Sequence, residues 1–121
     1  MLKSKIHRAT VTEADLNYVG SLTLDEDLMD TAELIEFEKI HVLDITNGSR
    51  IETYIIKGER GSGQVCINGA AAHLIHKGNL VIIASYCHLN DTEIQNHSPQ
   101  IIQVNGENKV IRRSIQTPIL A

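Results

Sequence analysis

The feature of this sequence that most constrains its fold is a succession of short β-rich segments that end at turn signals. Asn47-Gly48 lies between two such segments, residues 40–46 and 51–56. Asn-Gly is a strong signal for a β-hairpin turn because both positions tolerate positive φ. Residues 80–86 form an apolar run typical of a strand buried on both faces. Short strands at this spacing indicate a mainly β fold, either a small barrel or a sandwich, and the pattern alone does not decide between them.

A few short helices and further strands are expected along the chain. Residues 12–15 resemble a capping box before one turn of helix. Apolar residues at helical spacing predict a helix over residues 25–36, and Asn68 is placed to cap a helix over residues 69–76. The remaining predicted strands cover residues 6–11, 64–67, 101–104 and 110–115, the last two on either side of Asn105-Gly106.

The composition limits the class of protein. The 121 residues are expected to form a single domain, residues 1–121, with an aliphatic core because the chain has no Trp and one Phe. The formal net charge of -4 argues against binding to nucleic acid or to anionic membranes. The longest apolar run, residues 80–84, is too short to cross a bilayer. Cys66 and Cys87 suggest no disulfide framework, so a reducing, cytoplasmic location is expected.

The six histidines raise the question of a metal site. His73 and His76 are three residues apart and would lie near one face of a helix. A metal site needs three or four ligands, and the two cysteines have no paired spacing that would supply the others. We therefore expect no bound metal.

The Gly20-Ser21 bond, preceded by Tyr18-Val19, is the candidate reactive centre. Glycine has no Cβ, so it tolerates strained backbone and leaves its carbonyl open to attack. The hydroxyl of Ser21 can attack that carbonyl and convert the amide into an ester. Elimination would leave dehydroalanine, and its hydrolysis would leave a pyruvoyl group. A Gly-Ser pair alone is more often a plain turn before a strand, so the pair needs its context.

That context is a set of stretches in register that resembles the pyruvoyl-dependent aspartate 1-decarboxylase family. The resemblance runs from about Lys3 to beyond Ser85, and the tail after about Cys87 matches more loosely. The matching stretches are residues 5–8, 14–21, 47–48, Arg50, Thr53-Tyr54, 59–62 and 68–72. The resemblance implies a six-stranded double-psi β-barrel with a few short helices, cleaved between Gly20 and Ser21.

The resemblance also implies an activity and a cofactor. The chain would be an L-aspartate 1-decarboxylase that forms β-alanine and carbon dioxide for pantothenate biosynthesis. Its cofactor would be a covalent pyruvoyl group made from Ser21, which takes up the substrate amine as a Schiff base. The family is a homotetramer, so active sites at subunit interfaces are expected.

Several residues have roles that the resemblance implies. Arg50, together with Lys5, would hold the retained carboxylate of the substrate, since a guanidinium binds a carboxylate bidentately. Tyr54 would protonate the carbanion, and Thr53 would hydrogen-bond the Gly20 or pyruvoyl carbonyl. A backbone cradle for the substrate would consist of Asn68, Gly69, Ala70 and Ala71. Each residue also has an ordinary explanation, as a solvated charge, a half-buried strand residue or a capped helix with a small-residue face.

Two alternatives remain open at this point. One is a non-enzymatic β-barrel that binds a partner through its edges, which would run as one band on a denaturing gel instead of two. The other is a decarboxylase for a different acidic amino acid, which kinetics with aspartate and glutamate would reveal. The sequence leaves open whether cleavage needs a helper protein and what the tail from Asp91 onward does.

Overall fold

A computed structural model of the chain describes residues 1–114 and shows a mainly β fold, as predicted. Helices are few and short over these residues: α1 (Glu26–Thr31), α2 (Asp91–Ile94) and a 3-10 helix (Gly69–His73). The strands are β1 (Leu2–Thr10), β2 (Glu13–Asp15), β3 (Ser21–Asp25), β4 (Lys39–Asp44), β5 (Arg50–Gly58), β6 (Val65–Asn68), β7 (Leu80–Tyr86), β8 (Gln100–Val104) and β9 (Val110–Ser114). Ile115, the predicted end of the last strand, lies outside the described residues.

The strands join in the order β2-β6-β3-β5-β4-β7-β1-β8-β9. Three neighbouring pairs are parallel, namely β1 with β8, β2 with β6, and β3 with β5, and the other pairs are antiparallel. Within residues 1–114 the pairing connects nine strands, and the closed six-stranded double-psi barrel that the resemblance implied stays a prediction.

The aliphatic core forms on one face of this sheet. Leu22 and Leu24 of β3 are fully buried, as is Ile55 of β5, which lies beside Leu22 in the parallel pair. Since successive strand residues point to opposite faces, Ser21 and Thr23 lie on the other face. The largest fully buried side chains are Ile6, Val11, Leu22, Leu24, Leu28, Ile40, Val42, Ile55, Ile67, Ile75, Ile83 and Ile102.

The carboxylate of Asp25 fixes the turn between β3 and α1. It is 1% exposed and accepts hydrogen bonds from the backbone N–H groups of Asp27, Gly61 and Gly63 at 2.8, 2.9 and 2.8 Å. Burial alone would raise the pKa of Asp25, but these three hydrogen bonds outweigh it and hold the pKa below its usual value. Asp25 is thus the cap of α1, and the helix is shorter than the predicted residues 25–36 because Glu33 adopts a φ of 57°.

The prediction of a helical turn over residues 12–15 was wrong, because these residues contain β2. The Thr12 hydroxyl does not cap a local turn. It donates to the carbonyl of Val65 at 3.1 Å and accepts from the Val65 N–H at 2.9 Å. The backbone N–H of Thr12 also donates to that carbonyl at 2.9 Å, so pairing with β6 outweighs the local capping pattern.

Two further features concern possible sites in the described part of the chain. Residues 1–114 contain no group of three or more His, Cys, Asp or Glu side chains placed to hold a metal ion. Among the same residues, no helix combines the length and the apolar character needed to cross a membrane.

Candidate active site

Ser21 lies at the first position of β3, where the chain leaves an exposed loop and enters the sheet. Its side chain is 2% exposed, whereas Tyr18 and Val19 before it are 59% and 74% exposed. Ser21 is paired with Asn68 across the antiparallel β3–β6 ladder. The Gly20-Ser21 bond therefore joins an accessible segment to a buried hydroxyl.

The amide of Asn68 connects the polar groups around Ser21. Its Nδ2 donates to Ser21 Oγ at 3.0 Å and to Thr23 Oγ1 at 2.9 Å. Its Oδ1 accepts from the Cys66 thiol at 3.1 Å. Asn68 precedes the 3-10 helix, but its side chain makes no capping hydrogen bond, so the prediction that it caps a helix over residues 69–76 was wrong. The amide is already bound to the hydroxyls on β3.

Sequence reasoning did not select Thr23 and Cys66 for the site. Strand alternation contained the signal, because Thr23 shares a face with Ser21 and Cys66 shares a face with Asn68. The pairing of Thr23 with Cys66, next to that of Ser21 with Asn68, brings the four side chains together. The missing information was the register between β3 and β6, which cannot be read from the sequence.

Cys66 is a protonated thiol in this cluster. Burial raises its pKa to about 11, and the carboxylates of Glu13 and Asp15 act in the same direction. A thiol with this pKa keeps its proton near neutral pH, so it is a hydrogen-bond donor to Asn68 and a poor nucleophile.

Gly69 allows the closest backbone approach in the site. It has a φ of +73°, and a Cβ added there would lie 2.7 Å from Gly20 Cα, 2.8 Å from Gly20 N and 3.0 Å from the Tyr18 carbonyl oxygen. Only glycine fits this position, since both the conformation and the space exclude a side chain. The segment before the Gly20-Ser21 bond is therefore packed directly on the backbone at the end of β6.

Tyr54 lies beside Ser21 on the neighbouring strand. Leu22 is aligned with Ile55 in the parallel β3–β5 pair, so the residues one position earlier, Ser21 and Tyr54, are neighbours on the same face. Tyr54 is half-buried. Thr53 is paired with Ile40 of β4 and, by alternation, faces the other side of the sheet. The structure thus brings Tyr54, and not the side chain of Thr53, to the side of Ser21.

The predicted carboxylate anchors lie elsewhere on the sheet. Arg50 is exposed at the start of β5 and lines a cavity of about 220 Å³ together with His41, Leu43, Ile51 and Glu52. Lys5 lies on β1, paired with Ala84 of β7 and Ile101 of β8. In the strand order, β5, β4 and β7 separate β3 from β1, so Lys5 and Ser21 of one chain are not neighbours.

A larger cavity of about 420 Å³ adjoins the same region and does not include Ser21. It is lined by Met1, Lys39, Ile40, His41, Glu52, Tyr86, Cys87 and His88. Inside it, His41 Nδ1 is 2.9 Å from the Tyr86 hydroxyl, and His41 Nε2 is 3.0 Å from a Glu52 oxygen. Hydrogen bonds from His41 and Lys39 lower the pKa of Glu52. The carboxylate is thus satisfied by its neighbours, and Arg50 beside it makes no salt bridge within residues 1–114.

The remaining residues of interest in the matching stretches are His7 and the small residues after Asn68. His7 has a buried Nδ1 without a hydrogen-bond partner in the described residues, and burial, with Lys5 and Arg8 nearby, lowers its pKa. In the expected cradle, Gly69 is buried, Ala70 is exposed and Ala71 is half-buried. The exposed Ala70 leaves part of this small-residue surface open to a ligand.

The sequence is similar to one family of known proteins over most of its length. Residues 1–111 match the sequence model of the family described as "Aspartate decarboxylase". An aspartate 1-decarboxylase of Caldicellulosiruptor bescii is 59% identical over 114 residues, which are 94% of this chain and 89% of the relative. An aspartate 1-decarboxylase of Corynebacterium efficiens is 59% identical over 111 residues, with 92% and 82% of the two chains covered. One from Acetivibrio thermocellus is 57% identical over 111 residues, with 92% and 88% covered.

Proposed function

Because the chain belongs to the aspartate decarboxylase family, we propose that its residues 1–121 form one domain that cleaves itself between Gly20 and Ser21 to become active. The chain functions as an aspartate 1-decarboxylase, a lyase that converts L-aspartate to β-alanine and carbon dioxide for pantothenate biosynthesis. The observation that carries the cleavage proposal is the contact of Asn68 Nδ2 with Ser21 Oγ beside the tightly packed Gly20.

The arrangement around Ser21 supports its conversion to a pyruvoyl group. Ser21 is buried, it receives a hydrogen bond at its oxygen, and its hydroxyl is 3.3 Å from the Val19 carbonyl oxygen. Gly20 packs so closely on the backbone of Gly69 that a side chain at residue 69 would not fit, and this contact confines the segment that contains the reacting bond. When formed, the pyruvoyl group supplies an electrophilic carbonyl that takes up the substrate amine and accepts the electron pair released with carbon dioxide.

The residues near that position have separate tasks in our proposal. Tyr54, on the strand beside Ser21, delivers the proton that replaces the lost carboxylate. Arg50 and Lys5 bind the carboxylate that the substrate retains, since each is a cation on the exposed or half-buried part of the sheet. The backbone of Gly69, Ala70 and Ala71, together with Asn68, forms the small-residue wall against which the substrate lies.

We further propose a homotetramer in which a second copy completes each site. Lys5 on β1 and Ser21 on β3 lie on strands that are not paired with each other, so a cation supplied by a second copy would complete the site. Leu16, Tyr18 and Val19, next to the cleavage bond, are 52%, 59% and 74% exposed, which is a large apolar surface for a chain in water. Contact with a second copy would cover these side chains and supply the distant cation.

The double-psi barrel that the resemblance implied is part of the same proposal. Apart from the short β2 and the terminal β8 and β9, six strands remain in the order β6-β3-β5-β4-β7-β1. The three hydrogen bonds between Thr12, just after β1, and Val65, the first residue of β6, link the two ends of this series. That link supports closure of the six strands into a barrel.

The free Cys66 and Cys87 suit the reducing cytoplasm in which we place the enzyme.

Maturation is tested by the intact mass of the purified, active protein. We expect two fragments, residues 1–20 and 21–121, and the larger one should resist N-terminal sequencing because a pyruvoyl group has no amine. Ser21→Ala should remain whole and inactive. Conversion of purified, still uncleaved precursor with no other protein present would show that cleavage is spontaneous. A single uncleaved chain that decarboxylates aspartate would refute the proposal.

A further inference from the structure

The amide of Asn68 uses both of its N–H groups and its oxygen within one cluster. One N–H donates to Ser21 Oγ, the other donates to Thr23 Oγ1, and the oxygen accepts from Cys66 Sγ. Asn68 is 3% exposed and Cys66 is 5% exposed, so water has little access to replace these partners. The orientation of this amide therefore depends on the side chains around it.

The orientation decides what the Ser21 oxygen can do. A hydroxyl oxygen has one proton and two lone pairs. In the observed arrangement the proton points to the Val19 carbonyl oxygen, 3.3 Å away, and one lone pair receives the Asn68 N–H. The second lone pair is left for attack on the Gly20 carbonyl carbon. The Asn68 N–H also stabilises the negative charge that develops on the oxygen as its proton leaves.

Turning the amide by half a rotation would reverse these properties. Asn68 Oδ1 would then face Ser21 Oγ, accept the hydroxyl proton and oppose negative charge on the oxygen. Hydroxyls donate and accept equally well, so Ser21 and Thr23 by themselves permit both orientations. Cys66 distinguishes between them, because a protonated thiol donates to Oδ1, whereas the turned amide would present an N–H to a weakly accepting sulfur.

We propose that Cys66 is a positioning residue for self-cleavage, which holds the Asn68 amide in the orientation that donates to Ser21 Oγ. This inference rests on the proposed cleavage at Gly20-Ser21 and adds the groups that prepare its nucleophile. The raised pKa of the Cys66 thiol, about 11, agrees with a donor that keeps its proton at neutral pH.

The step that these residues assist is the conversion of the amide into an ester. The bond from Ser21 Oγ to the Gly20 carbonyl carbon forms, and the bond from that carbon to the Ser21 nitrogen breaks. The hydroxyl proton ends on the released nitrogen, so no other reactant is needed. Loss of the Ser21 α-proton with the Gly20 carboxylate then leaves dehydroalanine, and water replaces its nitrogen as ammonia to give the ketone.

The test is a time course of cleavage in freshly purified precursor, followed by intact mass. Cys66→Ala removes the donor to Asn68 and should slow cleavage about 3- to 10-fold, the effect of one neutral hydrogen bond. Cys66→Ser restores a donor and should cleave at least about threefold faster than Cys66→Ala. Cys66→Val fills the space of the thiol without a donor and should slow cleavage to a similar extent. Cys87→Ala, which changes the other cysteine, is the control and should match wild type.

The outcomes separate this inference from the proposed function. Cys66→Ala and wild type cleaving at equal rates would overturn the positioning role, as would equal slowing in Cys66→Ala and Cys66→Ser. If Cys66→Ala does not fold, judged by its melting curve, Cys66→Val decides, because an unchanged rate in that variant overturns the role. A wild-type chain that never splits, yet is active, would overturn both the cleavage and this inference.

Discussion

Gly69→Ala should block maturation out of proportion to its effect on stability. The new Cβ would lie 2.7 Å from Gly20 Cα, so Gly20 must withdraw by about 0.7 Å to restore an ordinary 3.4 Å contact. The same atom would lie 2.8 Å from Gly20 N and 3.0 Å from the Tyr18 carbonyl oxygen, so the cleavage segment has to move as a whole. Misplacement of reacting groups by about 1 Å costs roughly 100-fold in rate, and we expect cleavage to slow by about 10- to 100-fold.

The left-handed conformation adds a separate cost that must be subtracted. Gly69 has a φ of +73°, and placing alanine there costs roughly 1–2 kcal/mol in conformation alone. Gly78 is a matched control, because it has a φ of +90° and a Cβ there would meet no atom within 4 Å. Gly78→Ala should lose a similar amount of folding free energy to the left-handed conformation and still cleave at the wild-type rate.

The assay compares cleavage and stability in the same preparations. Intact mass against time gives the cleavage rate, and urea unfolding in a Ser21→Ala background gives the free energy of unfolding without interference from cleavage. Cleavage of Gly69→Ala at the rate of Gly78→Ala would refute the argument, since it would show that the contact with Gly20 does not position the bond.

Three further changes test the catalytic and structural assignments. Arg50→Ala should cleave normally but lose about 30-fold or more in kcat/KM for aspartate, because a desolvated charged contact is worth roughly 2–5 kcal/mol; wild-type turnover would place the anchor elsewhere. Tyr54→Phe should fold and cleave, then lose roughly 10²–10⁴-fold in kcat measured as β-alanine formation, and a rate within about threefold of wild type would remove the phenol from the mechanism. Asp25→Asn should reduce the free energy of unfolding of the Ser21→Ala chain by about 1–3 kcal/mol at neutral pH, because an amide N–H would face the Gly63 N–H. Since the pKa of Asp25 is lowered in the folded state, the stability that its carboxylate contributes is present above the unfolded pKa of about 3.9 and is lost as pH falls below that value. If the free energy of unfolding of Asp25→Asn depended on acid pH in the same way as that of its parent, this argument would be contradicted.

The strands were largely predictable because their signals are local. The predicted residues 80–86 coincide with β7, and the hairpin at Asn47-Gly48 joins β4 to β5 as expected. The errors arose where a side chain finds a distant partner. The Thr12 hydroxyl binds Val65, 53 positions away, and Asn68 binds Ser21, 47 positions away, so neither caps a helix. Local pattern cannot report such contacts, since they depend on strand register.

The candidate site shows the same limit. The motif at residues 18–21 pointed to Ser21, and strand pairing then placed Tyr54 beside it. Thr23 and Cys66 were not selected because, as single residues in a strand, they look like ordinary β-formers. Only the pairing of β3 with β6 reveals that both contact the amide of Asn68.

The position of β1 between β7 and β8 has a consequence for the molecularity of folding. β1 lies upstream of Gly20, so the proposed cleavage would leave an inner strand of the sheet on a separate 20-residue peptide. Before the cut, β1 pairs with its neighbours within one chain; after it, the same ladders bind one polypeptide to another. The fold can therefore be reached with a tethered β1, but its recovery after denaturation becomes a second-order reaction that depends on protein concentration. In the proposed maturation, the Gly20-Ser21 bond would join β1 covalently to the rest of the sheet during assembly and would be broken afterwards to form the reactive group.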